Sequence, residues 1–376
     1  MSSIHTPLCD MFEIEHPIVM AGMSLGMDDA MPSPPKLAAA VTNAGGLGVM
    51  GCGSRKPDTI DWCIREFKKL SSGPFGIDLL LPVTMGTGAK TETKAEIRGR
   101  LERDYPKHVA FVKDLVKEYD LPEIDLDDSE EEAMTQDLLK KEFEVVLDHK
   151  VPVFVAGLGD PSWVVPLARA QGMKVGGVVG AVRHAQRQKD ADVDFMVAQG
   201  TEGGGHTGNI ATFPLVPQVV DAAAPLPVLA AGGIGNGRQI AASFAMGAQA
   251  VWIGSAFLVA EENEIPREHQ EQIIKGSSPD FSLSKYRTGK QSRSYKSPIK
   301  DAWAVSGLDP LPMPLQGILM EPVYLASRSI GIMDLDTATA GQAGGMITER
   351  KPAKDIVDRL VAETHEALEK MKPLVN

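Results

Sequence analysis

Phe195-Met-Val-Ala-Gln-Gly-Thr-Glu-Gly-Gly-Gly-His-Thr-Gly208 joins an apolar run to a glycine-rich turn. The run stops at Gln199, and five glycines then fall within nine residues around one histidine, His206. Glycine lacks a Cβ, so its backbone takes positive φ readily and lets a ligand approach closely. The same freedom makes glycine costly to order, so this density asks for a use. A strand ending in a glycine cradle with one titratable side chain is what a cofactor pocket needs.

The motif is one beat of a longer rhythm. The other apolar runs are Pro17-Ile-Val-Met-Ala-Gly22, Gly46-Leu-Gly-Val-Met-Gly51, Phe75-Gly-Ile-Asp-Leu-Leu-Leu81, Val151-Pro-Val-Phe-Val-Ala-Gly157, Lys174-Val-Gly-Gly-Val-Val179, Pro227-Val-Leu-Ala-Ala-Gly232 and Ala250-Val-Trp-Ile-Gly254. Helix-like stretches follow six of the eight, at 35–43, 57–70, 162–171, 181–189, 237–246 and 255–262. Near-continuous apolar strands mark a parallel sheet buried on both faces. Eight strand–helix units predict an α/β fold, a closed (β/α)8 TIM barrel, with an open doubly wound sheet as the alternative. Closure is favoured because candidate site residues end several different strands, where barrel active sites form.

Residues 82–150 are too long for a simple connection between the third and fourth strands. They hold an amphipathic stretch at 108–119, an acidic patch at 123–132 and a helix expected at 134–147. A lid and a solvated surface excursion are both open to such an insertion. Residues 275–316, rich in Ser, Lys, Arg and Pro, read as a long loop. A helical region at 323–333, the run Gly341-Gln-Ala-Gly-Gly-Met346 and a charged amphipathic helix at 353–371 close the chain. The reading divides the chain into a barrel of residues 1–262, insertion included, and a C-terminal extension of 263–376 packed on it.

Composition narrows the function. The net charge of −12 argues against nucleic acid or an anionic membrane as partner. Cys9, Cys52 and Cys63 have no metal spacing and are too few for a disulfide framework, so a reducing, cytoplasmic setting is expected. The N-terminus lacks the basic and apolar regions of a signal peptide. No apolar run approaches the ~20 residues of a membrane span. The eight histidines are scattered, and no metal constellation stands out.

Ala231-Gly-Gly-Ile-Gly-Asn-Gly237 and Trp252-Ile-Gly-Ser255 end the seventh and eighth strands. Loops at these places in barrels often hold a phosphate against a helix N-terminus. The first is only loosely a G-x-G-x-x-G. A dinucleotide site would also want an acid about 20 residues on, but the next strand ends in Ser255, so a monophosphate is the better reading. Gln199 should point into the barrel mouth, where its amide can donate or accept. Asp78 lies within an apolar run, and a buried acid needs a partner, either a cofactor N–H or the backbone. Ala21, Gly22 and Met23 follow the first strand and could pack on a planar ring or serve as ordinary turn residues. His206 can take a proton from carbon or, when charged, stabilise an anion. Glu202 is a candidate to orient it. Cys52 reads as a small buried hydrophobe or a thiol at a strand end.

These stretches resemble the nitronate monooxygenases, FMN-dependent (β/α)8 barrels also called 2-nitropropane dioxygenases. The resemblance is carried by Pro17-Ile-Val-Met-Ala-Gly-Met23, Ala44-Gly-Gly-Leu-Gly48, Phe75-Gly-Ile-Asp-Leu79, Val197 to Gly208, Ala230-Ala-Gly-Gly-Ile234 and Ile253-Gly-Ser255, with Arg287-Thr-Gly-Lys290 and Gly341-Gln-Ala-Gly-Gly345 as later signatures. It implies that His206 is the active-site histidine. It implies FMN contacts from Asp78, Gln199, Gly204, Gly233 and the turn Trp252, Ile253, Gly254, Ser255, with Gln342 near the phosphate. Adding the residue-level candidates Ala21, Gly22, Met23, Gly205 and Gly232 completes the expected site. The implied reaction converts alkyl nitronates and O2 to a carbonyl compound and nitrite. The alternatives are an NAD(P)H-dependent flavin reductase of the enoyl-thioester or quinone type and a flavin-binding protein without turnover. The partners expected are a small-molecule substrate and O2, and a homodimer is one assembly open to the chain. Three positions depart from the family pattern: Asp78 stands where Asn is usual, Gly203 where Ala is usual, and Ala256 where many members carry Arg. The insertion is longer than in compact bacterial members.

Overall fold

The computed structural model describes residues 4–24, 31–53, 55–81, 92–126 and 136–374. Eight parallel strands close into a barrel: β1 (Ile18–Met20), β2 (Leu47–Gly51), β3 (Phe75–Leu81), β4 (Val153–Gly159), β5 (Lys174–Val179), β6 (Phe195–Gln199), β8 (Val228–Ala231) and β9 (Ala250–Ile253). The ring shuts where Val19 pairs with Trp252 and Met20 with Ile253. The expected TIM barrel is therefore the fold found. A two-residue strand, β7 (Gly205–His206), lies outside the ring.

Side chains alternate along each strand, and the two faces build different cores. Val19, Val49, Val155, Phe195, Val197, Leu229 and Trp252 fill the interior. Leu8, Cys9 and Phe12 of the short helix Pro7–Phe12 join them, and the rings of Phe12 and Phe195 meet edge-on at 4.9 Å. Met20, Met50, Ile77, Phe154, Val251 and Ile253 belong instead to the layer shared with the outer helices. The closing helix Ala353–Met371 packs on Gly237–Ala245 and Pro35–Asn43, so the chain's end covers the barrel wall.

The insertion and the extension share a separate apolar cluster. Ile97, Leu101, Val112 and Leu115 of the insertion pack with Trp303, Leu315, Leu319 and Val323 of the extension. Glu321, 5% exposed, binds Lys94 at 3.1 Å and also pairs with Arg98. The helices Lys94–Asp104 and Leu315–Ser329 are thus joined by charge as well as by apolar contact.

Several expectations need correction. Residues 275–316 are no simple loop: they contain β10 (Phe281–Ser284), β11 (Ser292–Tyr295) and the helix Pro298–Val305. The two strands pair antiparallel, and β11 also pairs with β7. Four-residue strands carrying only three apolar side chains between them, Phe281, Leu283 and Tyr295, are too short for a period to stand out. The helix expected at 323–333 is Leu315–Ser329 and runs through Pro322. Proline leaves the carbonyl four residues back without its helical donor; the Arg98 guanidinium reaches that carbonyl, on Ile318, at 3.3 Å. A helix at Thr212–Ala223 was not expected; it contains Pro217. Lys94–Asp104 was also not expected, and the helices begun at 162 and 255 shrink to Val165–Arg169 and Ser255–Leu258. The acidic patch at 123–132 and the start of the helix expected at 134 lie partly outside the described residues; the helix there is Gln136–Asp148. Among the described residues, no helix is long and apolar enough to cross a membrane.

A Cβ at Gly48 would lie 2.1 Å from the Ala38 carbonyl oxygen, a backbone atom of the helix packed on β2. Gly48→Ala should therefore force helix and strand apart, at about 1–3 kcal/mol. The measurement is a urea midpoint, which should fall with little change of slope. An unchanged midpoint would show that this helix can move freely off the strand.

Candidate active site

Most of the sequence-predicted residues lie on or just past the barrel strands β1, β3, β6, β8 and β9, and Gln342 joins them from the C-terminal extension. Ala21, Gly22 and Met23 leave β1. A Cβ at Gly254 would lie 3.3 Å from Met23 Sδ and 3.6 Å from Ala21 Cβ, so the exits of β1 and β9 adjoin. Ser33, fully buried, secures this corner: its hydroxyl accepts from the N–H groups of Met23 at 2.9 Å and Gly51 at 2.8 Å, and donates to the Met23 carbonyl at 3.1 Å. Nothing in the local sequence marks this serine, because its three contacts come from two other strand exits.

Asp78 on β3 sits between two glycines. A Cβ at Gly22 would come within 2.4 Å of its Cβ, and one at Gly157 within 2.3 Å of Oδ1. Burial drives the carboxyl well above its ordinary range, while the Gly157 backbone hydrogen bond pulls weakly the other way. The backbone is thus the partner found. A neutral carboxyl presents one O–H donor and one carbonyl acceptor, close to what a carboxamide offers. The substitution of acid for Asn therefore changes the hydrogen-bonding capacity less than its formal charge suggests.

The glycine cradle is held from two sides. The Gln199 amide donates to the His206 carbonyl at 3.0 Å, across the turn. Glu202 does not orient His206; its Oε2 accepts from both the N–H and the hydroxyl of Thr212 at 2.9 Å, because the turn points the carboxylate back at the helix N-terminus. Gly204 lies against residues 340–341, and a Cβ there would meet the Gly341 nitrogen at 2.7 Å. Gly341 N–H donates to Ser255 Oγ at 2.8 Å, and Gln342 N–H to the Glu202 carbonyl at 2.9 Å. Gly204, Gly205, Ser255 and Gln342 are therefore neighbours, although 138 positions of sequence separate Gly204 from Gln342.

Gly232 and Gly233 turn away from β8 with φ of +97° and +74°. They stand one and two residues past the pair Ala231↔Trp252, beside Gly254 and Ser255 on the adjacent strand exit. The N–H groups of Gly233, Ile234, Gly254 and Ser255 donate to no acceptor among the described residues. Such clustered, unspent donors fit a phosphate. Together with the glycine cradle and the buried Asp78, they fit the mononucleotide that the sequence suggests. Trp252 belongs to the barrel interior, whereas the Ile253 side chain faces the outer helices and its carbonyl accepts from Ala21 N–H. Ala256 is buried, so the rim has no cation at that position.

His206 pairs with Ser292 in the small sheet, and its Nε2 lies 2.9 Å from Thr288 Oγ1. Its ring keeps an open face, yet the surrounding protein removes enough water to disfavour charge. Desolvation, reinforced by Lys290 and then Arg287, pushes its pKa down to about 4. The ring is therefore neutral at pH 7. Arg287 pairs with the fully buried Asp336 at 2.8 Å and lies over the Tyr324 ring, 4.9 Å from its centroid. Arg293, 5% exposed, donates to the Thr201 carbonyl at 2.8 Å and to the Phe281 carbonyl at 2.6 Å. Asp336, Thr288 and Arg293 were absent from the expected site; their partners are too distant in sequence for spacing to show them. Among the described residues, no group of three or more His, Cys, Asp or Glu could hold a metal.

Lys290→Met removes a charge near His206 and keeps most of the stem. The His206 pKa should then rise from about 4 toward the ordinary histidine value. An NMR titration of the ring measures it, and an unmoved pKa would remove Lys290 as a cause and leave desolvation and Arg287.

Comparison with known proteins agrees with this geometry. The family model described as nitronate monooxygenase matches residues 5–363. A protein of Mycobacterium tuberculosis named "Putative monooxygenase Rv1533" is 34% identical over 90% of this chain and 93% of its own. A nitroalkane oxidase from Streptomyces ansochromogenes superposes with a TM-score of 0.78 at 28% identity, covering 97% of this chain and 99% of that one. FabK from Thermotoga maritima gives 0.72 at 28% identity, covering 99% of this chain and 100% of that one. With the rim of a closed barrel carrying the expected histidine and glycine cradle, the chain belongs to the nitronate monooxygenase family and is a flavin-dependent oxidoreductase that uses FMN.

Proposed function

We propose that this enzyme oxidises alkyl nitronates with O2 to a carbonyl compound and nitrite. The observation that carries the reading is the neutral His206 on the open rim, beside Lys290 and Arg287. A nitronate is an anion. Lys290 favours its approach, since the charge of Arg287 is paired with Asp336, and an uncharged imidazole stays able to take the α-proton of the neutral nitroalkane from which the nitronate forms. The similarity to a nitroalkane oxidase supports the same substrate class.

In this reading the N–H groups of Gly233, Ile234, Gly254 and Ser255 hold the FMN phosphate. Ala21, Gly22 and Met23 pack on the ring system, Asp78 hydrogen-bonds to its edge, and the turn at Gly204 and Gly205 lets it come close. The cofactor supplies the electron transfer and the reaction with oxygen. The chain's own share is to orient the nitronate against the ring, to exclude water and to keep His206 ready for a proton. Because the pKa of His206 is depressed, the ring stays neutral above about pH 4 and becomes charged only below it. Base-dependent turnover should thus persist through the mildly acidic range and fall as pH drops through that value.

The test is anaerobic mixing of the purified flavoprotein with a primary alkyl nitronate and, separately, with NADH and NADPH. The expected result is flavin reduction by the nitronate, and nitrite release in air with no pyridine nucleotide. Flavin bleached only by NAD(P)H would replace this reading with a reductase. His206→Asn should lower turnover by about 10²-fold or more; near-normal turnover would remove His206 from its role.

A further inference from the structure

The turn that carries Thr288 is held rigidly from behind. The Tyr286 carbonyl accepts from Gln316 Nε2 at 2.6 Å. Arg287 is fixed by its ion pair with Asp336 at 2.8 Å. Gly289 presses on the segment around Leu311, where a Cβ would lie 2.0 Å from the Leu311 carbonyl oxygen. Arg287 and Thr288 are adjacent, yet one binds Asp336 and the other meets His206.

The Thr288 hydroxyl has three neighbours. Lys290 N–H donates to it at 3.3 Å, the Lys290 carbonyl lies 3.3 Å away as an acceptor, and His206 Nε2 is at 2.9 Å. A threonine hydroxyl has one proton and two acceptor sites. If the proton goes to the Lys290 carbonyl, the oxygen accepts from Lys290 N–H and from His206 Nε2–H, and all its capacity is used. If it goes to His206, the Lys290 carbonyl loses this donor and one acceptor site stays unfilled. The first arrangement makes three hydrogen bonds and the second only two. His206 Nδ1 has no protein partner among the described residues.

We propose that Thr288 is a positioning residue that holds neutral His206 as the Nε2–H tautomer, leaving Nδ1 as the nitrogen that accepts the substrate proton. This rests on His206 acting as the base. The step is a proton transfer without oxidation or reduction: the α-C–H bond of the neutral nitroalkane breaks, its electron pair stays on the substrate to give the nitronate anion, and the proton passes to the Nδ1 lone pair, which makes the ring a cation.

The experiment is nitrogen-15 NMR of histidine-labelled holoenzyme, with the His206 signals identified by their loss in His206→Asn. The wild-type protein should show a protonated Nε2 and an unprotonated Nδ1. Thr288→Val keeps the side-chain shape without the hydroxyl. It should give a mixed tautomer pattern and lower kcat with the neutral nitroalkane on the order of 10–100-fold, a part of the 10²–10⁴-fold that a positioned base contributes. KM and FMN content should change little. Thr288→Ser keeps the hydroxyl and should restore both signals and turnover. A wild-type ring protonated on Nδ1 would overturn the proposal. So would a folded Thr288→Val with unchanged tautomer and turnover. Because the wild-type spectrum needs neither a variant nor a substrate, a correct tautomer with no nitronate turnover would reject the functional reading alone.

Discussion

The buried guanidinium of Arg293 ties the barrel to the rest of the chain. It spans from the Thr201 carbonyl, just past β6, to the Phe281 carbonyl at the start of β10. Removing a cation from water is costly unless its donors find partners, and these carbonyls engage all three guanidinium nitrogens. On either side, Gly205 pairs with Arg293 and His206 with Ser292. The turn carrying His206 is therefore an edge of the C-terminal hairpin as much as a barrel loop. Its register fixes which way the imidazole faces, since a slip of one residue would reverse the side chains.

This coupling gives the insertion and extension a physical role. Their shared apolar cluster backs the turn at 286–291 through Gln316, Asp336 and Leu311. That turn in turn meets His206 through Thr288. Groups held between two packed bodies keep their geometry better than groups on a free loop, and active sites depend on such precision. The electrostatics follow the same logic. In a chain of net charge −12, burial drives the Asp78 carboxyl well above its ordinary range, and burial plus nearby cations keeps His206 neutral.

Much of the barrel was legible because its strands are buried on both faces and read as unbroken apolar runs. β3, β5 and β6 begin and end where those runs do, and the helices Pro57–Leu70 and Ala353–Met371 show their full amphipathic period. The hairpin β10–β11 was not legible. Its residues, Phe281-Ser-Leu-Ser284 and Ser292-Arg-Ser-Tyr295, are mostly polar, and they become strands through pairing with each other and with β7. The helices containing Pro217 and Pro322 were hidden or displaced for a related reason: local propensity forbids them and tertiary partners, such as Arg98 at the Ile318 carbonyl, make the second tolerable.

The sequence by itself determined the eight-stranded ring and the glycine-rich turn around His206, because periodicity and glycine content act over a few neighbouring residues. Only the tertiary structure decided what surrounds that histidine. Glu202 proved to serve Thr212, while Thr288, Lys290 and Arg287 came to His206 from a segment more than 80 residues away. Hydrogen bonds and desolvation depend on distance in space, and a barrel brings distant strand exits within bonding reach only once it has closed.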